Sequence, residues 1–373
     1  MGKKLAALFL AVCLVVVAVS GCQTTTRNNL ASAGSDLKYA NGFSIEDIGG
    51  GCKQVTDGEN QTLILVPQGK KVPAGYANLP QVTIPVKKVV ILSVTFGALM
   101  RPLGVLDSVV GSGTVESELY IDEMKQAYAN GQIQYVGGGG MGAPDFEAIR
   151  ALNPDVVFIS TGYPDAVKYY NQLKDTGVTV AVCNDYLENN PLGRLEWIKF
   201  LASFYGKDKV AETYFTSVVK KINDIHEKTM ILSSLPTVLW ASIFMGTCYV
   251  SGGDSYVAKM IDMAGGNYLF SDLEGSGASS VSLEELYARG KNCDVFIYAS
   301  TPPYINSVKE IVSNGAVLAD MAVIKNDQVY CFQPWFYQIS DKIDEVVEDL
   351  AYIFHPNLFP GYILKHFQLL PAE

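Results

Sequence analysis

Short runs that are apolar at every position alternate along the chain with stretches whose apolar residues recur every three or four positions. The continuous runs predict strands buried on both faces, and the periodic stretches predict helices. The predicted strands are 88–94, 156–160, 178–182, 238–244, 294–299 and 328–332. The predicted helices are 165–174, 191–205, 255–264 and 341–354. Strands of this kind separated by helices are typical of parallel sheets, so the sequence predicts an α/β fold with mainly parallel sheets.

The longest amphipathic stretch, residues 207–230, predicts a helix near the middle of the chain. Its expected apolar stripe consists of Val210, Tyr214, Val218, Ile222 and Ile225. About 24 helical residues at about 1.5 Å each span roughly 36 Å. The stripe alone is more typical of an ordinary amphipathic helix packed on one sheet. Because an α/β segment of similar length lies on either side, we interpret the helix as a rigid connection between two Rossmann-like lobes.

Two segments, one in each half, share the same order of features. Asp145 and Ser282 are good N-caps, each followed by a short predicted helix and an apolar strand, and Glu285 predicts a capping box with Ser282. Glu147 and Glu284 then occupy the first turns of equivalent helices. A glutamate there can simply complement the helix N-terminus, for about 0.3–1 kcal/mol. As a pair at matching places, the two glutamates are also candidates for docking a partner with two-fold symmetry.

The beginning of the chain has the features of a targeting segment. Lys3 and Lys4 precede an apolar run at 5–19, which is shorter than the roughly 20 residues of a membrane-spanning helix. Residues 19–22 resemble the cleavage box of bacterial lipoproteins, in which Cys22 would become lipidated; an ordinary secretory signal is the alternative. The expected division is a lipoprotein signal peptide at 1–21, a flexible tether at 22–40, an N-terminal lobe at 41–190, linking helices at 191–235 and a C-terminal lobe at 236–373.

Composition and charge narrow the range of functions. The 373 residues suffice for two domains, and the net charge of −10 argues against a nucleic-acid partner. Past Cys22, five scattered cysteines without a Cys-x-x-Cys motif fit neither a zinc site nor a disulfide framework, although one pair could be oxidised. The three histidines, His226, His355 and His366, follow no predicted strand, which disfavours a site for a bare metal ion. Neither Gly-x-Ser-x-Gly nor His-Glu-x-x-His occurs, so an enzyme such as an α/β hydrolase is disfavoured.

The loops after the predicted strands carry aromatic residues and methionines with few charges. In open parallel sheets, ligands bind beyond the carboxyl ends of the strands. The predicted ligand-binding residues are Phe96, Met141, Tyr163, Met245, Tyr249, Trp335 and Tyr337, and the same loops carry Thr95, Gly138, Gly139, Tyr186 and Tyr304. Core packing is the alternative for each residue alone. Large rings and thioethers suit a bulky, partly apolar chelate or macrocycle. Arg101 and Arg194 are the nearest arginines in sequence, and this scarcity disfavours catecholate siderophores.

From about residue 87 to residue 354 the chain resembles the metal-chelate class of ABC-transporter substrate-binding proteins, which includes the vitamin B12 and iron–siderophore binders. The matching stretches read PDFEAIRALNPDVVFIS, YVSGGDSYVAKMIDMAGGNYLFSD and VSLEELYARGKNCDVFIYAS, together with the long helix. The resemblance implies two lobes joined by a rigid helix, with the ligand held between them. It also implies that Glu147 and Glu284 meet arginine pockets of a membrane permease.

The expected function is that of a monomeric, non-catalytic binding protein. It would be lipid-anchored at the cell membrane, would face the periplasm or the exterior, and would deliver an iron–siderophore or related metal chelate to a permease driven by a cytoplasmic ATPase. A corrinoid or haem ligand is the nearest alternative. An adhesion or scaffold protein that has lost ligand binding is a more distant one.

Overall fold

The computed structural model describes residues 37–139, 142–302 and 304–373, which fall into two units. The first unit comprises residues 37–217 together with Gln338–Asp341. The second unit comprises Val218–Tyr337 and Lys342–Glu373. The predicted signal peptide, the predicted lipidation site Cys22 and most of the predicted tether lie outside the described residues.

A four-stranded sheet begins the first unit. Its strands are β1 (Ser44–Gly49), β2 (Cys52–Thr56), β3 (Thr62–Pro67) and β4 (Gln81–Ile84). Neighbouring strands β1, β2 and β3 are antiparallel, and β4 joins β3 in parallel. The stretches at 43–48 and 62–66, on either side of glycine-containing turns, predict a pair of strands here, and the prolines at 73, 80 and 85 predict a loop. Strands β2 and β4 were therefore missed. Pro80 and Pro85 flank β4 without entering it, and they remove no ladder hydrogen bond from it.

A five-stranded parallel sheet follows. Its strands are β5 (Val89–Ile91), β6 (Val109–Ser112), β7 (Gln134–Tyr135), β8 (Val156–Ile159) and β9 (Val180–Val182). They lie in the order β7-β6-β5-β8-β9, and every neighbouring pair is parallel. Strands β5, β8 and β9 are buried along their whole length, as expected for strands covered on both faces. The predicted parallel α/β architecture is confirmed.

Helices cover this sheet. Their bounds are α1 (Val94–Met100), α2 (Asp122–Ala129), α3 (Phe146–Leu152), α4 (Ala166–Asp175) and α5 (Pro191–Ser203). Helix α5 starts with Pro191 at its first position, and the side chain of Asn190 accepts from the Leu192 N–H at 2.9 Å. Almost all of α5 is buried, and the ring of Trp197 packs 4.5 Å from that of Phe43, so this helix joins the two sheets of the first unit.

Two buried carboxylates fix the beginning of the first unit to helix α5 and the loop before it. Glu196 accepts hydrogen bonds from the backbone N–H groups of Lys38, Tyr39 and Ala40 at 2.8–3.1 Å. Glu188 accepts from the Asn41 and Gly42 N–H groups, both at 2.9 Å. Residues 38–40, which the sequence assigned to the flexible tether, therefore belong to the first unit.

The long helix α6 spans Asp208–Met230, close to the prediction. Its buried face differs from the predicted stripe in the first turns, since Ala211 and Phe215 are buried while Val210 is exposed. From Val218 onward the predicted stripe is the buried one. The division between the two units falls within this helix, after residue 217.

The second unit is built on a seven-stranded mixed sheet. Its strands are β10 (Thr237–Phe244), β11 (Thr247–Ser251), β12 (Asn267–Tyr268), β13 (Ala278–Val281), β14 (Val295–Tyr298), β15 (Val329–Phe332) and β16 (Phe367–Leu369). The order is β13-β11-β10-β14-β15-β16, with β12 paired to β10. Strands β10, β14 and β15 form a parallel centre, while β11, β13 and β16 are antiparallel to their neighbours.

The helices of the second unit, besides the end of α6, are α7 (Tyr256–Met263), α8 (Leu283–Gly290), α9 (Val308–Val312), α10 (Ala322–Lys325) and α11 (Ile343–Phe354). The carboxylate of Asp349 on α11 is fully buried and accepts from the Tyr362 hydroxyl and from the N–H groups of Lys365, His366 and Phe367. It thereby fixes the start of β16. Within the described ranges, no helix combines the length and apolar character needed to span a bilayer.

Candidate functional site

The carboxyl edge of the parallel sheet in the first unit is lined by a cluster of hydrogen-bonded polar residues. The loops after β8 and β9 are tied together here, because the Thr161 N–H donates to Asn184 Oδ1 and Asn184 Nδ2 donates to Thr161 Oγ1, both at 2.9 Å. Ser160 also donates to the Cys183 carbonyl at 2.9 Å. These bonds hold the two loops that carry Tyr163 and Tyr186, both half-buried.

Two polar atoms at this edge have no hydrogen-bond partner within the described residues. They are Asp185 Oδ1 and the Tyr186 hydroxyl oxygen, and both are shielded from solvent. Burial raises the pKa of Asp185 to about 7, while the charge of Arg194 and the hydroxyl of Thr95 act in the opposite direction. Burial likewise raises the pKa of Tyr163 to about 12. Asp185 was not predicted from the sequence, because the residue pattern does not show that a carboxylate is buried.

The other residues predicted at this edge differ in their surroundings. Phe96 is fully buried in α1, which argues against direct ligand contact, whereas its neighbour Thr95 is half-exposed. Met141 lies outside the described residues. In the glycine run, a Cβ on Gly139 would lie 2.0 Å from the Gly113 carbonyl oxygen. Glycine at position 139 therefore allows two backbone segments to pack together.

The arginines near the first unit's strand ends are engaged by neighbouring groups. Arg101 forms a two-point ion pair with Asp341, from Nε at 2.9 Å and Nη2 at 2.6 Å. Arg194 donates from Nε to the Glu188 carbonyl at 2.9 Å and influences the pKa values of Asp185 and Tyr186. Nothing in the residue pattern directs either arginine toward a site, yet Arg194 belongs to the polar cluster.

In the second unit, the carboxyl edge of the sheet is rich in aromatic rings. Phe332 at the end of β15 stacks on Phe336 with ring centroids 4.0 Å apart and an angle of 9°. Tyr337 packs edge-on against both rings, at 6.0 and 5.7 Å, and burial raises its pKa. Trp335 between them is half-buried. Phe332 and Phe336 are buried, so Trp335 and Tyr337 are the rings of this group that remain partly exposed.

Trp335 is held by a chain of hydrogen bonds that the sequence did not predict. Its indole N–H donates to His366 Nδ1 at 3.3 Å, and His366 Nε2 lies 2.9 Å from Glu345 Oε2. His366 is buried, and burial lowers its pKa against the opposing effect of Glu345. His366 precedes β16 and so follows no strand, as the sequence indicates, yet it lies beside the loop after β15. Because β16 runs antiparallel to β15, its first end lies at the carboxyl edge.

Met245 and Tyr249 lie on the hairpin formed by β10 and β11. Met245 occupies the turn with a φ of 50°, and 87% of its surface is exposed. Tyr249 is half-buried on β11 opposite Ser280 of β13, and Tyr304, after β14, is also half-buried. A side chain this exposed in a left-handed turn gains nothing from packing inside its own unit, which leaves Met245 available for external contact.

Glu147 and Glu284 occupy matching local environments, each within its own unit. Asp145 caps α3 by accepting from the Ala148 N–H at 2.9 Å, and Ser282 caps α8 by accepting from the Glu285 N–H at 3.1 Å. Both predicted N-caps are therefore confirmed. Glu147 and Glu284 are exposed in the first turns, and among the described residues neither forms an ion pair.

Metal ligation by side chains has no candidate in the described ranges, where no group of three or more histidine, cysteine or carboxylate side chains is arranged to hold an ion. The five described cysteines are buried free thiols. Burial raises the pKa of Cys293 to about 12 and of Cys248 to about 11, so these thiols remain protonated.

Comparisons with known proteins agree on one fold. The family described as "Periplasmic binding protein" matches residues 89–334. An uncharacterized lipoprotein of Methanocaldococcus jannaschii is 30% identical, and the match covers 96% of this chain and 94% of the relative. The crystal structure of a periplasmic heme-binding protein from Pseudomonas aeruginosa is similar with a TM-score of 0.59 at 19% identity, covering 77% of this chain and 97% of that one. That of the periplasmic vitamin B12-binding protein of Vibrio cholerae gives 0.53 at 16% identity, covering 74% and 99%.

Proposed function

The chain belongs to the periplasmic binding protein family, and we propose that it is the lipid-anchored solute-binding component of an ABC importer that captures an iron–siderophore or related metal chelate. Solute binding of the ABC-transporter type follows from the family. The metal-chelate ligand, the lipid anchor at Cys22 and a monomeric state are parts of the proposal. The lipoprotein relative supports the anchor.

The observation that carries the ligand class is the aromatic carboxyl edge of the second unit. Trp335 and Tyr337, which adjoin the buried Phe332–Phe336 pair, offer a ring surface, whereas binders of bare metal ions need several ligating side chains. Corrinoid or haem is the second candidate. It is favoured by the same ring surface and by the fold shared with the heme and vitamin B12 binders.

A binding panel tests this proposal, with tryptophan emission as the readout. Of the three tryptophans, Trp197 and Trp240 are buried and Trp335 is half-buried, so a ligand at the ring-rich edge quenches Trp335. We expect saturable quenching by a ferric hydroxamate siderophore, by cyanocobalamin or by haemin, and loss of the signal with at least about tenfold weaker binding in Trp335→Phe. Binding of none of the three would contradict the proposal.

Glu147 and Glu284, in the first turns of α3 and α8, provide a control that separates ligand binding from uptake. We propose that Glu147 and Glu284 dock the permease, since both are exposed and outside the strand-end loops. The double variant Glu147→Ala, Glu284→Ala should bind the ligand as the unchanged protein does and should abolish its uptake by cells. Weakened ligand affinity in this variant would place the glutamates in the binding site instead.

A further inference from the structure

The turn between β2 and β3 docks on the edge strand of the parallel sheet. We refer to residues 57–61 as the hairpin tip; they lie outside the region that the family matches, which begins at residue 89. The Gly58 N–H donates to the Val182 carbonyl, and the Val182 N–H donates to Asp57 Oδ2, both at 2.9 Å. Asp57 is buried, and its Oδ1 accepts from the Glu59 and Gln61 N–H groups. The tip is thus fixed at the end of β9.

This docking brings Glu59 to the carboxyl edge of the sheet. Thr161, which follows β8, donates its hydroxyl hydrogen to Glu59 Oε1. Asn184, which follows β9, donates to both Thr161 Oγ1 and the Gly58 carbonyl. Because ligands of open parallel sheets bind beyond the carboxyl ends of the strands, Glu59 lies where such a ligand would sit.

The charge of Glu59 is not neutralised within the described part of the chain. Glu59 is half-buried. No lysine or arginine in that part of the chain forms an ion pair with it, and no hydrogen bond there reaches its second carboxylate oxygen. The nearby Lys174 is directed to the Gln61 side chain and the Tyr170 hydroxyl, at 3.4 and 3.2 Å. The negative charge of Glu59 therefore remains available to a ligand.

A second acceptor strengthens this polarity. Asp185, on the same set of strand-end loops, is buried and keeps its Oδ1 without a partner among the described residues. The Glu59 carboxylate therefore attracts a ligand that carries a positive charge or N–H and O–H donors and repels a ligand with peripheral carboxylates, while the Asp185 carboxyl adds an acceptor at the same edge.

We propose that Glu59 is a specificity-determining residue and that the site selects a metal chelate bearing a protonated amine over a neutral chelate of the same shape. This inference rests on the proposed chelate-binding function. To that function the inference adds the charge of the ligand and a binding residue that the hairpin tip supplies.

Ferrioxamine B and its N-acetylated form test the charge selectivity, since both enclose iron identically and differ by one ammonium group. We expect the unchanged protein to bind the ammonium form about tenfold more tightly at low salt, measured by calorimetry. In Glu59→Gln the ratio should fall to about two or less, with little change for the acetylated form. Thr161→Val, which removes the hydroxyl that orients Glu59, should lower the ratio partially.

Glu46→Gln is the matched control, because Glu46 is a half-buried glutamate on β1 of the same small sheet and pairs in register with Gln54, away from the strand ends. Its ratio should equal that of the unchanged protein. Equal affinity of the two chelates for the unchanged protein, or an undiminished ratio in Glu59→Gln, would overturn the charge-selectivity inference while leaving chelate binding standing. Failure of both chelates to bind would overturn the charge-selectivity inference, and failure of cyanocobalamin and haemin as well would overturn the proposed function.

Discussion

The carboxyl edges of the two sheets illustrate two ways of preparing a surface for a ligand. In the first unit, short polar side chains bond to one another and to backbone groups, and among the described residues Asp185 Oδ1 and the Tyr186 hydroxyl have no partner. In the second unit, rings stack on one another and a single hydrogen-bond chain fixes Trp335. The carboxyl edge is thus a polar surface in the first unit and an aromatic surface in the second.

Each edge is also fixed by a segment that is distant in sequence. The hairpin tip at 57–61 holds the loops after β8 and β9, and the segment that starts β16 holds the loop after β15. The side chains at each edge are therefore positioned by chain segments outside the strand–loop–helix repeats themselves.

The largest expected effect is on the second edge, through Asp349→Ala. Removing this buried carboxylate leaves three backbone N–H groups and the Tyr362 hydroxyl without their acceptor, so we expect the free energy of unfolding to fall by about 3 kcal/mol. Urea denaturation measures it. Asp344→Ala on the same helix removes only a partly exposed ion pair with Lys221 and should cost less than about 1 kcal/mol. Equal losses in the two variants would show that the Asp349 bonds carry no stability.

The next effect concerns the first edge and its dependence on pH. The pKa of Asp185 is raised to about 7 in the folded protein, above its unfolded value, so the folded state binds more protons between these values. Its contribution to stability is therefore full below about pH 4 and is lost as pH rises through 7, at up to about 1.4 kcal/mol per pH unit.

Asp185→Asn tests this linkage by removing the titrating group. We expect the decline of stability from pH 4 to pH 7 to become shallower than in the unchanged protein, measured by urea denaturation at several pH values. Asp57, whose pKa burial raises to about 6, would keep part of the decline in the variant. An unchanged slope would mean that Asp185 is ionised at neutral pH despite its burial.

The smallest expected effect tests whether ligand affinity depends on the orientation of the Trp335 ring as well as on its presence. His366→Leu removes the acceptor of the indole N–H, and we expect about threefold weaker binding of the ligand that quenches Trp335. His366→Asn can place an amide oxygen near the position of Nδ1 and should restore most of the affinity. If both variants bind equally well, the ring position does not depend on this hydrogen bond.

Much of the fold could be predicted from local patterns in the sequence. The continuous apolar runs at β8, β9 and β14, the caps Asp145 and Ser282, and the long helix all depend on residues close in sequence. The missed strands β2 and β4 are short and lie among turn residues, and their pairing energy comes from neighbouring strands rather than from their own pattern.

The candidate site was predicted less completely, for a related physical reason. The rings after β8 and β15 were found because strand ends can be read locally. His366, Asp185 and Glu59 gain their positions from an antiparallel return, from burial and from a docked turn, each determined by contacts across more than 20 residues. Phe96 was placed at the site because it follows a strand, but it lies within α1, where its side chain is fully buried.

The bonds from Glu188 and Glu196 to residues 38–42 have a mechanical consequence. A pull exerted on the chain ahead of Lys38 meets a row of backbone N–H groups held by carboxylates of α5 and of the loop before it, and the load passes to that helix before it can reach β1. If a lipid anchors the chain, a force transmitted from the membrane therefore acts first on a buried helix. The hairpin tip and Glu59 then stay in place.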